Sequence, residues 1–286
     1  MSVCWRQRLA FVFLFLAPAI LRALPAEESF KEETLAQLTD KDVSDWGHIA
    51  LRVKPRQWKH GETGHFIIHY FRSGESIARR SETFYSEIKE FFGNRPDLLG
   101  GWKSHVFAFN DVKDWDEFRQ AIGGMRILGI TRGNEFFYLA TGANGLFDSK
   151  AKVQAHEMTH LIFNRFFEGR PPLWLNEGIA EYFGQKKTSS IIEFHRRMGR
   201  ASPFELERLF EMKSYPHTLE EIEAFYTESA IVVDFLTRTP YRVAVLPKFV
   251  DAMIANDNMA DAVKEFGFKD FAEFKAAYVR YRRWFQ

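Results

Sequence analysis

The residues best equipped for chemistry are two histidines four positions apart with a glutamate directly after the first: His156-Glu157-Met158-Thr159-His160. The surrounding pattern is helical, and positions i and i+4 share one helical face, so both imidazoles point toward one ion. Neutral imidazole suits Zn²⁺, and a catalytic zinc site takes three protein ligands while keeping a fourth position open. Glu157 sits beside that face, where its carboxylate can take a proton from a hydrolytic water. Alone, the pattern fits two satisfied core histidines equally well.

A third ligand must come from another segment. After the break Gly169-Arg-Pro-Pro172 the chain reads Leu173-Trp-Leu-Asn-Glu-Gly-Ile-Ala-Glu-Tyr-Phe183. With the first motif, this stretch resembles the gluzincin metallopeptidases, in particular the peptidase MA-like domains. The resemblance implies one Zn²⁺ per chain held by His156, His160 and Glu177, with Glu157 as catalytic base. The spacing from His160 to Glu177 is slightly shorter than in aminopeptidase N relatives, a difference the Gly-Pro-Pro break can absorb. Glu181, one turn after Glu177, takes by the same resemblance the place of an acid that orients a ligand imidazole; the alternative is a solvated glutamate.

Tyr226, at the start of a later helix, is the family-implied donor to the oxyanion of a tetrahedral intermediate, against a packing role for one more aromatic ring. Glu228 on the same turn is a weaker candidate. The strand Phe136–Ala140 resembles the edge along which such enzymes lay an extended peptide. One departure matters. Aminopeptidase N relatives capture the substrate amine with the glutamate of a Gly-x-Met-Glu-Asn segment. Here Gly123-Gly-Met-Arg126 and Gly142-Ala-Asn-Gly145 supply no such acid, so exopeptidase or endopeptidase action stays open. His65, His69 and His105 lack ligand spacing and are expected to be satisfied or exposed rather than a second metal site.

These residues need elements to position them. Strand patterns cover His65–Phe71 and His105–Phe109, with Met125–Thr131 and Glu135–Ala140 joined by a turn at Arg132-Gly133-Asn134. A helical stripe runs from Glu75 to Phe92, ended by Gly93, and another from about Lys113 to Ile122. Beyond residue 150 the pattern is helical throughout: Lys150–Phe167, Leu173–Phe183, Ser189–Met198, Pro203–Met212, Leu219–Thr237, Leu246–Asn256, Ala260–Phe266 and Phe271–Trp284. The fold class is α+β, a small mixed β-sheet lobe followed by a mainly helical zincin-like lobe with the cleft between them. The organisation is residues 1–26 as a signal peptide, 27–60 as a polar leader that packs loosely with one short helix at Glu28–Leu38, and 61–286 as the peptidase MA-like domain.

Composition bounds the rest. The 286 residues are 46% apolar and carry a net charge of +1, which excludes disordered, collagen-like and strongly basic nucleic-acid-binding chains. Thirty phenylalanines point to a thick core. Arg6 and Arg8 precede an apolar run from Leu9 to Leu21, the pattern of a secretory signal and short for a membrane span. Cleavage fits after Ala19 or Ala26; uncleaved, the segment is an anchor, the one membrane attachment expected. The sole cysteine, Cys4, lies inside it, so the mature chain has neither disulfides nor thiol chemistry. The Arg280–Trp284 cluster reads as a solvated helix end.

The expectation is an exported zinc metallopeptidase acting on a peptide or protein, with no nucleic-acid partner. The alternatives are a catalytically silent zinc protein of the cell envelope, and hydrolysis of a non-peptide amide.

Overall fold

The computed structural model describes residues 29–125, 127–140, 149–188, 196 and 204–283. The signal peptide (residues 1–26), the expected helix at Ser189–Met198 apart from Arg196, and Trp284 lie outside the described residues. Among the described residues no helix is long and apolar enough to cross a membrane.

One sheet of six strands organises the first half, in the order β1-β2-β3-β4-β6-β5. The strands are β1 (Lys31–Glu33), β2 (Lys59–Glu62), β3 (Phe66–Tyr70), β4 (Ser104–Phe109), β5 (Gly129–Arg132) and β6 (Glu135–Leu139). β3, β4 and β6 run parallel to one another, while β1, β2 and β5 pair antiparallel at the two sides. The parallel strands are buried along their whole length, as expected where helices cover both faces. Phe66, Ile68, Val106, Phe136 and Tyr138 face the main core; Phe107, Phe109, Phe137 and Leu139 face a second, smaller one.

Helices α1 (Asp45–Arg52) and α3 (Val112–Ala121) contribute to the second core, and α2 (Gly74–Phe91) and α4 (Ser149–Phe163) to the main one. The α2 stripe of Ile77, Phe84 and Ile88 is buried, and Gly93 leaves the helix at φ +76°, a conformation glycine adopts without strain. Then follow α5 (Leu173–Thr188), α6 (Leu206–Glu211), α7 (Leu219–Leu236), α8 (Pro240–Asn256), α9 (Met259–Ala262) and α10 (Phe271–Arg282). The α+β expectation holds: a mixed sheet first, helices after.

Four expectations require correction. The segment 27–60 does not pack loosely: its described residues supply β1, α1 and the first half of β2, and bury Leu38, Ala50, Val53 and Trp58. Its expected helix at Glu28–Leu38 is instead the edge strand β1 followed by a single 3-10 turn at Leu35–Gln37. The helix expected from Leu246 begins at Pro240, because Thr239 caps it by accepting from the Arg242 amide and a proline fits the first turn; it then runs through Pro247. The described part of the Arg280–Trp284 cluster, up to Arg283, is only partly solvated, since Arg282 is buried and pairs with Glu228.

Three strand histidines form a buried hydrogen-bonded row. His60 Nδ1 lies 2.8 Å from His69 Nδ1 and His69 Nε2 lies 3.0 Å from His105 Nδ1. His105 Nε2 faces Asp40 at 4.0 Å. His69 is hydrogen-bonded at both ring nitrogens, His105 Nε2 is buried without a hydrogen-bond partner, and His65 pairs with Glu82 at 2.7 Å. Burial lowers the pKa of all three row members, that of His105 to about 4 even though Asp40 and Asp42 pull it up. The folded chain therefore refuses protons that the unfolded chain accepts near pH 6.5. This contribution is intact above pH 6.5 and stability is lost as the pH falls from there toward 4, by about 3 kcal/mol for His105. Thermal midpoints measured from pH 8 to pH 4 should fall on the acid side, with a shallower slope in His105→Leu. An equal slope in the variant would exclude this role.

Candidate metal centre

α4 carries the first motif across the main-core face of the sheet. Met158 and Thr159 point inward and are buried, while His156, Glu157 and His160 are half-buried on the opposite side. Gly129 of β5 permits the close approach: a Cβ there would stand 2.9 Å from Val153 Cγ1 and 3.2 Å from Glu157 Cγ. Thr131 fixes the contact by donating to the Glu157 carbonyl at 2.9 Å.

α5 brings the third donor. Pro171 and Pro172 set its start, with the amides of Leu175 and Asn176 both returning to the Pro172 carbonyl. Buried Trp174, Leu175 and Ile179 anchor it in the main core, leaving Glu177 toward α4. Gly178 lets α7 press against it, since a Cβ would meet the Ser229 carbonyl oxygen at 2.6 Å. That contact brings the first half of α7, with Tyr226, to the site.

Three donor atoms converge. His156 Nε2 and His160 Nε2 are 3.1 Å apart, and Glu177 Oε2 lies 3.2 Å from the first and 3.5 Å from the second. Among the described residues this is the one group of three or more such side chains whose ligand atoms all lie within 4.8 Å of one another. The arrangement can hold a metal ion.

Surrounding groups hold the donors in place. Glu181 Oε2 faces the other nitrogen of His156 at 3.4 Å and also pairs with Lys152, so Glu181 is a partner of the ligand and not a solvated acid. Tyr215 donates to Glu177 Oε1 at 2.7 Å, leaving Oε2 to the histidines. Without a metal, burial disfavours charge on His156, but Glu177 and Glu181 outweigh it and push the imidazole up to about 10. The same pairing, again against burial, brings Glu181 down to about 2 and Glu177 well below the usual carboxylate range.

The remaining expected residues divide. Glu157 lines a cleft of about 390 Å³ shared with the donor triangle, and its carboxylate has no hydrogen bond or ion pair among the described residues. Tyr226 lines the same cleft, its ring 5.9 Å from that of His156; burial and the nearby acids keep its phenol protonated. Glu228 is turned away, accepting from Tyr278 and facing Arg282 at 3.4 Å. The expected edge strand is a correction: β6, which holds Phe136–Leu139, lies between β4 and β5, and the strand at the sheet margin beside the cleft is β5. Its Ile130, Thr131 and Arg132 face the opening.

Tyr215 and Lys152 were not singled out from the sequence. Lys152 precedes His156 by four residues, a readable helical spacing. Tyr215 stands in a loop before Pro216, and no spacing rule connects it to Glu177. No protein-family profile and no curated protein matches this chain.

Proposed function

We propose that the chain is a zinc-dependent metallopeptidase of gluzincin type. The observation that carries this reading is the donor triangle. Two imidazoles and a carboxylate with edges of 3.1, 3.2 and 3.5 Å suit ligands at about 2.0–2.1 Å from a tetrahedral ion, whose edges are about 3.3–3.4 Å. A His₂Glu set with the fourth direction open to a cleft is the chemistry of a catalytic zinc site, and a closed structural site has no use for the unpaired Glu157. When bound, zinc would act as a Lewis acid toward the scissile carbonyl and make water acidic enough to be deprotonated near neutral pH.

The chain's own residues supply the rest. Glu157, free of partners, accepts the proton of the attacking water and returns it to the leaving amine. The Tyr226 hydroxyl donates to the oxygen on which negative charge develops. Glu181 fixes the orientation and tautomer of His156 by accepting a hydrogen bond from the Nδ1–H, and Tyr215 holds Glu177 in a one-oxygen arrangement. The outer margin of β5, unpaired by any strand among the described residues, offers backbone groups for an extended peptide. Export from the cytoplasm is part of the same proposal and rests on the cationic start and apolar run at Leu9–Leu21.

The test is the metal content of the purified chain together with its action on a mixed peptide pool. About one zinc per chain, cleavage of the pool, loss of both on chelation and return on zinc addition are expected. Zinc without cleavage would leave a binding protein, and no zinc after reconstitution would end the proposal.

A further inference from the structure

The ionic lining of the cleft falls into two groups. His156, Glu157, His160 and Glu177 belong to the metal centre, whereas Arg132 and Arg170 do not. Neither guanidinium forms an ion pair or hydrogen bond among the described residues. Once the donor triangle has taken its groups, the cleft keeps two cations, with Glu157 as the one remaining carboxylate among its described lining residues.

Arg132 is held at its guanidinium, and Arg170 is placed by its backbone. Arg132 ends β5, and its guanidinium carbon lies 4.4 Å from the ring centre of Trp46, a cation–π contact that limits its motion. Its register partner, Glu135, is the obvious counter-ion, but Ser44 occupies it: the amide donates to Oε1 at 2.6 Å and the hydroxyl to Oε2. The Ser44 hydroxyl also caps α1 by accepting from the Trp46 and Gly47 amides, while Arg132, whose charge still favours the ionised form of Glu135, lines the opening. Arg170 stands between Gly169, at φ +93°, and the buried pair Pro171-Pro172, a short segment with little freedom. Asn164 joins the two sides by donating to the Gly133 carbonyl at 3.4 Å, so both arginines flank the C-terminal end of α4.

We propose that Arg132 and Arg170 form a carboxylate subsite, so that the cleft selects peptides bearing an acidic group beside the bond to be cut. This rests on the reading of the cleft as a peptide-hydrolysing site. A guanidinium presents paired donors in a plane that matches a carboxylate, and a restrained one loses little further freedom on binding. Among the described lining residues the one carboxylate outside the donor triangle is Glu157, so beside the two arginines a basic side chain of the substrate would meet like charge. The carboxylate comes either from an aspartate or glutamate side chain or from the C-terminus of the peptide.

The experiment compares matched peptides, Asp against Asn and Glu against Gln, each with a free and an amidated C-terminus. Binding is read by fluorescence anisotropy on zinc-loaded Glu157→Gln, and kcat/KM on the zinc-loaded unsubstituted protein. Acidic forms should bind about ten- to a hundredfold more tightly than their amides, with the preference reduced in Arg132→Gln and Arg170→Gln and gone in the double variant. Both side chains are exposed, so the substitutions leave the core untouched. Sensitivity to Asp→Asn alone assigns the carboxylate to a side chain, and sensitivity to amidation alone to the terminus; either supports the subsite. Equal binding of acid and amide, a preference that survives in the double variant, or no binding of any peptide overturns it. Acid-selective binding without cleavage would support the subsite and overturn the peptidase reading.

Discussion

Glu157→Gln is expected to lower kcat for peptide cleavage by about 10²–10⁴ while the protein keeps its full complement of metal. The separation follows from the geometry. Glu157 is not one of the three converging donors, so the ion loses no ligand. The bond that ties α4 to β5 runs from Thr131 to the backbone carbonyl of residue 157, which glutamine retains. Its carboxylate has no hydrogen bond or ion pair to lose among the described residues, and glutamine has nearly the same shape. What disappears is the capacity to accept a proton. Single-turnover kinetics beside elemental analysis of the same preparation would read both quantities. A variant that cleaves at the unsubstituted rate would remove Glu157 from the mechanism.

Glu177→Ala is expected to act on the metal itself. The residue is 3% exposed and contributes the one anionic donor, so its loss leaves two neutral imidazoles facing an ion across an emptied pocket. Affinity measured by chelator competition should fall by well over the about 10–100-fold typical of losing an outer partner. Tyr215→Phe supplies that comparison, because it removes only the hydrogen bond to Glu177 Oε1. Acidity should modulate loading in a fixed direction. The metal-free site holds His156 protonated, with its pKa raised to about 10, and an imidazole must be neutral to ligate. Binding therefore releases a proton, and apparent affinity weakens as the pH falls. Glu177→Ala with undiminished affinity would exclude the three-donor centre.

Much of this arrangement was readable in the sequence. The paired histidines were readable because i,i+4 spacing is local, whereas Glu177 came from the resemblance of the Trp-Leu-Asn-Glu-Gly segment to the gluzincin motif. The buried strands at His65–Phe71 and His105–Phe109 were readable as continuous apolar runs, a signal that is likewise local. What escaped was long-range. β2 reads Lys-His-Gly-Glu, with no alternation to mark it, and it is a strand because β3 offers it hydrogen bonds and because His60 finds His69. The position of β5 at the sheet margin depends on strand order, which composition does not encode. Tyr215 reaches Glu177 across a sequence separation of 38 residues, and Glu228 turns from the site toward Tyr278 and Arg282, residues near the end of the chain.

The order of the strands along the chain has a consequence for biogenesis. All six precede His156, so the platform beneath α4 can be complete before the first donor has left the ribosome or crossed a membrane. The ion would then arrive late, as a guest of an already assembled scaffold, and not as the nucleus around which the polypeptide condenses. On the proposed reading, such a chain can be made where zinc is scarce and charged afterwards, which divides the supply of the protein from the supply of the metal.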